Sequence, residues 1–273
     1  MVVAPPTAGM SALTVSSLVV YPIKSAGGIA VEQVDVDDFG LRHDRRWMVV
    51  DPRGGMITQR THPRLALARP ALEGDRLVVR GPGLDPLSLP LRPAAAVGTT
   101  VGIWEDECTA AWQGEAAASW FSRLLEAEVM LVYMPDTTWR PVDPTRAPAS
   151  SRVGFADAFP FLLLSEESLA DLNARLPAPV PMNRFRPNLV IRGGTPFVED
   201  RLDAFGIGEI GFRAVKPCDR CVITTTDQET TERGVEPLRT LATFRKVDGK
   251  VYFGQNALHH GPGRLAVGMP VRL

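Results

Sequence analysis

LTVSSLVVYPIKS, residues Leu13 to Ser25, sets the terms on which this chain can fold. Its apolar half is rich in β-branched Val and Thr, which suit a pleated strand better than a helix. Pro22 stops the run, because proline has no N–H to give to a sheet ladder. Lys24 and Ser25 follow at once. A cation and a hydroxyl at a strand end form a reasonable anion site, although a solvated lysine after a turn has the same sequence.

The same texture continues outward. The chain has 24 Gly and 24 Pro, and they punctuate short apolar runs, as in a β-rich protein with many turns. VEQVDVDDF (Val31 to Phe39) reads as a strand with an acidic solvated face. RWMVVD and MITQR face each other across Pro52 to Gly55, a hairpin pattern. DRLVVRG and PLSLPL read as further strands. Helical spacing is confined to three places. Glu115 to Glu128 carries apolar residues at Ala117, Trp120, Phe121, Leu124 and Leu125. SEESLADLNARL has Ser165 as an N-cap, acids in its first turn and Pro177 as its stop. EPLRTLATFRK has Pro237 as a first helical residue and Arg245 and Lys246 in its last turn. Four prolines between Met134 and Arg152 mark a boundary or a functional loop. The fold class expected is mainly β (α+β), with two β-rich halves and a few helices.

With 273 residues the chain can build one large or two medium cores. A net charge of −1 argues against broad nucleic-acid binding, which needs a strongly basic surface. It leaves room for a local basic pocket. No Lys or Arg precedes Lys24, so the N-terminus lacks the positive start of a secretory signal and is expected to be a flexible extension over residues 1–11. No apolar run reaches the roughly 18–20 residues of a membrane span. Three cysteines do not make a disulfide framework, and a reducing, cytoplasmic setting is expected.

Two of those cysteines form KPCDRC, Lys216 to Cys221. A disulfide, half a zinc site, a redox pair and a single metal thiolate are all open. Zinc needs four ligands, and Cys108, His43, His62, His259 and His260 do not have the usual spacing. A thioredoxin-type pair opens a helix, whereas VITTTD after Cys221 reads as a strand. Lys216 and Arg220 flank the pair, and neighbouring cations favour thiolate over thiol. Thiolates suit soft or transition metals. Elsewhere, Arg45 and Arg46 stand before a strand, where alternation turns one inward. Arg184 and Arg186 stand before another, and arginine can clamp a phosphate. Asp157 in FADAFPF reads as a turn former or a general acid. His259 and His260 read as a surface loop. Phosphate-loop, GxSxG and HExxH patterns do not occur.

YPIKS, GLRHDRRWMVVD, FPFLLLSEESLADLN, NRFRPNLVI, VKPCDRC, EPLRTL and FGQN occur in this order. The series resembles the MOSC-domain proteins, named for the C-terminal domain of molybdenum cofactor sulfurase. The group it looks most like is the amidoxime-reducing components of mitochondria and their bacterial relatives. The resemblance implies an N-terminal β-barrel-like module over residues 12–133 and a β-barrel MOSC domain over 134–273. It implies the molybdenum cofactor, a molybdopterin in its cysteine-ligated form, with Cys221 rather than Cys218 as the thiolate on the metal and a catalytic residue. Lys24 and Ser25, Arg45, and Arg186 with Asn188 inherit cofactor-binding roles. Asp157 matches a family Asp in the loop lining the same pocket and is the catalytic candidate for proton donation. The implied reaction is reduction of small N-hydroxylated compounds; a sulfur (persulfide) or cofactor carrier is the alternative. The loop after Asp157 departs from the family, reading Ala158-Phe159 where small hydroxyl residues can stand. TDQETTERGVEP lacks the commoner Thr-Gly turn. No cysteine follows Cys221, so electrons are expected from a separate donor protein of the ferredoxin, flavin reductase or cytochrome type.

Overall fold

The computed structural model describes residues 13–93 and 98–273, so the extension expected over residues 1–11 lies outside it. In chain order its strands begin with β1 (Thr14–Val20), β2 (Ile29–Val31), β3 (Gln33–Asp37), β4 (Gly40–Leu41) and β5 (Trp47–Val50). β6 (Arg69–Glu73), β7 (Arg76–Gly81), β8 (Leu84–Pro90), β9 (Gly98–Ile103), β10 (Asp106–Trp112) and β11 (Met130–Tyr133) follow. β12 (Phe161–Ser165), β13 (Leu189–Arg192), β14 (Ala204–Ile207) and β15 (Ile210–Asp219) open the second half. β16 (Lys246–Val247), β17 (Lys250–His260), β18 (Gly263–Ala266) and β19 (Val271–Arg272) complete it. The helices are α1 (Glu115–Leu125), α2 (Glu166–Asn173) and α3 (Leu238–Leu241). The chain is mainly β, as its turn-rich sequence requires.

The largest sheet runs β19-β14-β15-β17-β12-β13-β1-β2, with β16 added beside β17. β1 therefore pairs antiparallel with β13 and completes the sheet of the second half. The reason lies in its alternation. Val15, Leu18 and Val20 are fully buried among Leu163, Leu189, Ile191 and Phe212. Each such side chain contributes about 1.5–3 kcal/mol when taken out of water. β12 and β13 are the parallel pair, joined by a crossover through α2. Ser165 caps α2 as expected, its hydroxyl accepting from the Ser168 N–H at 3.1 Å. A second core packs β5, β7, β8, β11 and α1 around Trp47 and Phe121.

Several local expectations change, and each change has a cause. MITQR does not form a hairpin strand. Val50 and Met56 make a single bridge, and β5 pairs with β11 instead. The chain then peels away because Gln59 Nε2 donates to Ser25 O at 2.7 Å and to Gln228 at 3.0 Å. That departure delivers Arg60 to the site described below. α1 stops at Leu125, because Ser122 Oγ holds the Val129 backbone and turns the chain into β11. α3 keeps only four residues, since Arg245 is drawn out to Asp200 and to the Phe197 ring. Pro237 precedes it. VITTTD is not a strand: Val222–Thr225 is a 3-10 turn. His259 is not on a loop; it lies within β17, with Nε2 2.8 Å from Asp37 O. Among the described residues no helix is long and apolar enough to cross a membrane.

Candidate functional site

Tyr21 to Gly28 is the hinge on which the site is built. Pro22 ends β1, and the Lys24 N–H then donates to Trp47 O at 2.8 Å, tying this turn to β5. Gly28 is required here. A Cβ on it would lie 2.5 Å from the Tyr21 ring and 2.7 Å from Val19 Cγ1. Gly28→Ala is expected to displace Tyr21 and cost about 1–3 kcal/mol, the usual range for overpacking, read as a lower urea midpoint. An unchanged midpoint would refute the contact.

The turn opens into a small cavity of about 140 Å³ at the junction of the two halves. Lys24, Ser25, Arg45, Asp157, Arg186 and Cys221 all line it. Residues from five separated sequence motifs thus meet in one place. Asn188 does not line it. It is buried behind, where its Oδ1 accepts from Arg45 at 2.8 Å and its Nδ2 donates to Asp44 at 3.0 Å and Val19 O at 3.1 Å. Its role is to aim Arg45.

Arg45 and Arg46 both turn inward, to different places. Arg46 lies over the Phe39 ring and pairs with Asp136. Arg45 pairs with the buried Asp44 carboxylate, whose other contacts, the Tyr21 N–H and Asn188 Nδ2, are also donors. Burial opposes the Arg45 charge, but Asp44 outweighs it and holds the guanidinium above its usual range. Arg45 and Arg186 both lie over the Tyr21 ring, at 4.8 and 4.3 Å from its centroid. Burial pushes the Tyr21 phenol up to about 12 and the Arg186 guanidinium down to about 10, so neither changes charge near neutrality. Arg186 Nη1 donates to Ala26 O at 2.6 Å, while Nη2 is buried with no partner among the described residues.

Ser25, Arg45 and Arg186 have positive φ, at 64°, 48° and 59°. This left-handed backbone is uncommon for residues with a Cβ, and such strain gathers at functional sites. Three strained residues around one cavity are a physical mark of selection for position.

Lys24 Nζ donates to Phe155 O at 2.7 Å and to Asp157. Burial pulls the Lys24 ammonium below the usual lysine range, and Asp157 opposes it. Asp157 also accepts from Arg60 Nη2 at 3.4 Å and Trp104 Nε1 at 3.3 Å. Burial pushes its carboxyl up, yet Lys24 and then Arg60 pull harder, leaving it well below the usual carboxylate range. A carboxylate engaged by three donors and held ionised is an acceptor, so the geometry does not suit Asp157 to proton donation near neutral pH. Its side chain is 53% exposed to the cavity, and solvent there screens part of the attraction. The sign of the pH effect follows. The pair stabilises the fold above the unfolded carboxylate pKa of about 4, and that contribution is lost as pH falls through the lower folded value. Urea midpoints taken from about pH 5 downward are expected to fall more steeply for the wild type than for Asp157→Asn. Parallel slopes would refute the pairing.

Cys221 sits between the end of β15 and the 3-10 turn, its carbonyl accepting from the Thr224 N–H at 3.1 Å and the Thr224 hydroxyl at 3.0 Å. Cys218 also lines the cavity, but the two thiols differ. Cys218 Sγ is held by Arg220 Nη1 at 3.1 Å, while among the described residues the Cys221 thiol has no hydrogen-bond partner. Lys216, expected beside the pair, turns out of the cavity and faces Asp219 at 3.8 Å. All three cysteines are free. The redox-pair reading loses its setting for a reason other than a following strand. β15 is antiparallel to both β14 and β17, and only a 3-10 turn follows. Among the described residues no group of three His, Cys, Asp or Glu could hold a metal. A metal at Cys221 would have to bring its other ligands with it.

Sequence reasoning missed four residues that build this site. Asp44 carries the buried charge behind Arg45. Arg60 adds a fifth cation, with Lys24, Arg45, Arg186 and Arg220, against two carboxylates, Asp157 and Asp219. Arg140, buried inside the proline-rich loop, donates to Gly154, Ala156 and Asp157 carbonyls and fixes the Asp157 turn. Trp104 reaches Asp157 from the β9–β10 turn. Arg60 and Trp104 reach Asp157 across 97 and 53 positions and so have no local sequence signal, whereas Asp44 stands next to Arg45 and was passed over within LRHDRRW.

A free thiol, convergent cations and a buried guanidinium nitrogen without a partner among the described residues make a site suited to an anionic group beside one sulfur. The comparisons with known proteins give the family. Residues 12–128 match the MOSC N-terminal beta barrel domain and residues 150–272 match the MOSC domain, so the chain belongs to the MOSC family. It is similar to mitochondrial amidoxime-reducing component 1 of Homo sapiens, 35% identical over 95% of this chain and 82% of that protein. It is similar also to mitochondrial amidoxime reducing component 2 of Rattus norvegicus, 36% identical over 94% of this chain and 82% of that protein. Solved structures resemble it weakly. YiiM from Geobacillus stearothermophilus is 14% identical, covers 76% of this chain and 71% of its own, and has a TM-score of 0.33, too low to carry an argument.

Proposed function

We propose that this chain is a molybdenum-cofactor oxidoreductase that removes oxygen from small N-hydroxylated compounds. The observation that carries the reading is the meeting of Cys221 with five cationic side chains in one cavity. The relatives named as amidoxime-reducing components support it. The residues fit the group. Its phosphate and dithiolene are anionic, and Lys24, Arg45, Arg186 and Arg220 supply positive charge from both halves of the chain. Among the described residues Arg186 Nη2 and Arg220 Nε are buried donors with no partner, each a costly arrangement unless a ligand accepts from it. Of the two cavity cysteines, Cys221 is the one whose thiol has no hydrogen-bond partner among the described residues.

When bound, the cofactor supplies a two-electron couple able to take an oxygen atom from an N–O bond. The chain does the rest. Cys221 anchors the metal as its thiolate. Lys24, Ser25, Arg45, Arg186 and Arg220 hold the anionic groups, with Asn188 and Asp44 aiming Arg45. Asp157 orients Lys24, Arg60 and Trp104 and does not itself supply protons. Loss of oxygen as water consumes two electrons and two protons per turnover, and the electrons come from a separate donor protein. Free thiols suit a reducing compartment, and a cytoplasmic location is proposed on that ground alone; the relatives are named as mitochondrial.

The test is to purify the chain from a host that makes the cofactor, measure molybdenum, and assay benzamidoxime and hydroxylamine with a chemically reduced viologen as donor. Near-stoichiometric molybdenum with reduction of either compound supports the reading. Metal-free protein with sulfane sulfur on Cys221 would establish the carrier instead.

A further inference from the structure

Trp104 is out of place by every local rule. It occupies the first position of the two-residue turn between β9 and β10, closed by the Ile103–Asp106 pair. Its φ is 56°. Turns of this kind favour Asn or Gly at such a position, and a bulky residue there is an outlier. Its side chain is also 49% exposed, an unusual setting for so large an apolar group. Both costs could be avoided with a small polar residue, and neither is offset by core packing.

What the indole does touch belongs to the cavity. Its Nε1–H donates to Asp157 Oδ1 at 3.3 Å. The Arg60 guanidinium lies 4.4 Å from its ring centroid and also reaches Asp157. Arg60 and Asp157 line the cavity. Trp104 therefore stands at the rim, anchored at its nitrogen edge, steadied by a stacked cation, with the rest of its ring open.

We propose that Trp104 is the substrate-selecting residue of this site: its open ring stacks planar, conjugated N-hydroxylated compounds, aromatic amidoximes above all, with Arg60 fixing the ring's orientation. The inference rests on the reductase reading and adds a preference to it. Amidoximes and their amidine products are flat and delocalised, and protonated amidines add a cation–π attraction. Compounds with no extended π-surface, such as hydroxylamine, gain nothing from the ring.

The test uses the cofactor-loaded protein with Trp104→Asn, which tolerates the left-handed turn, and Trp104→Phe, which keeps a ring. The ratio of kcat/KM for benzamidoxime over hydroxylamine is expected to fall about five- to tenfold in the Asn variant, the worth of one aromatic contact. The change should lie in KM, and Phe should restore most of it. Binding of benzamidine, followed by calorimetry, should weaken by a similar factor and needs no turnover. An unchanged ratio, equal behaviour of Asn and Phe, an equal loss of kcat on both substrates, or an effect on the KM of a protein electron donor alone overturns the proposal. A wild type that reduces neither compound overturns the reductase reading; benzamidine binding then still decides for the ring if Trp104→Asn weakens it, and against it if not.

Discussion

Replacing Cys221 with serine is expected to bring reductase activity to background, while Cys218→Ser keeps activity within about tenfold of wild type, the mild end of what a residue beside the metal ligand costs. The two thiols share a cavity and a motif, so the contrast tests the geometry itself. Cys218 is engaged by Arg220 and lies in β15, where serine can accept the same guanidinium hydrogen bond. The Cys221 thiol has no hydrogen-bond partner among the described residues, and serine offers a metal a poorly ionised hydroxyl in place of a soft thiolate. Molybdenum content should follow activity. Equal losses from the two changes would revive the redox pair, and full activity in Cys221→Ser would end the metal-thiolate reading.

Asp44→Ala is expected to cost about 3–5 kcal/mol, because it strands a buried guanidinium without its counter-charge. That is a large share of a typical stability of about 5–15 kcal/mol. The Asp44 side chain is 3% exposed and takes hydrogen bonds from Arg45, the Tyr21 N–H and Asn188. Its removal leaves the Tyr21 N–H unpaired and takes one acceptor each from Arg45 and Asn188, around one buried point. Arg45→Met in the Asp44→Ala background should recover part of the loss, since it removes the orphaned charge. Urea unfolding checks both. A loss under about 1 kcal/mol would mean that water replaces the carboxylate.

The site was legible wherever a motif is short and self-contained. The end of β1 at Pro22, the Ser165 cap and the cluster of Lys24, Arg45, Arg186 and Cys221 could be placed from the residues and the family pattern. Asn188 was legible as a participant but not as a support behind Arg45. The strand expected after Cys221 failed because the Thr224 N–H and hydroxyl both turn back to the Cys221 carbonyl, an interaction that β-propensity ignores. The hairpin expected after β5 failed because Gln59 is claimed by Ser25 and Gln228, the latter 169 positions away.

By itself the sequence determined the β-rich class, the family, and the residue types that an anionic cofactor needs. Strand period, turn chemistry and short motifs are local properties, and local spacing records them. Only the tertiary structure decided which of the two cavity thiols lacks a hydrogen-bond partner among the described residues, that Asp157 accepts from three donors, that Asp44 and Asn188 hold Arg45, and that Trp104 and Arg60 meet at Asp157. Those facts depend on burial and on charges brought together from both halves of the chain, and neither is a property of any short stretch.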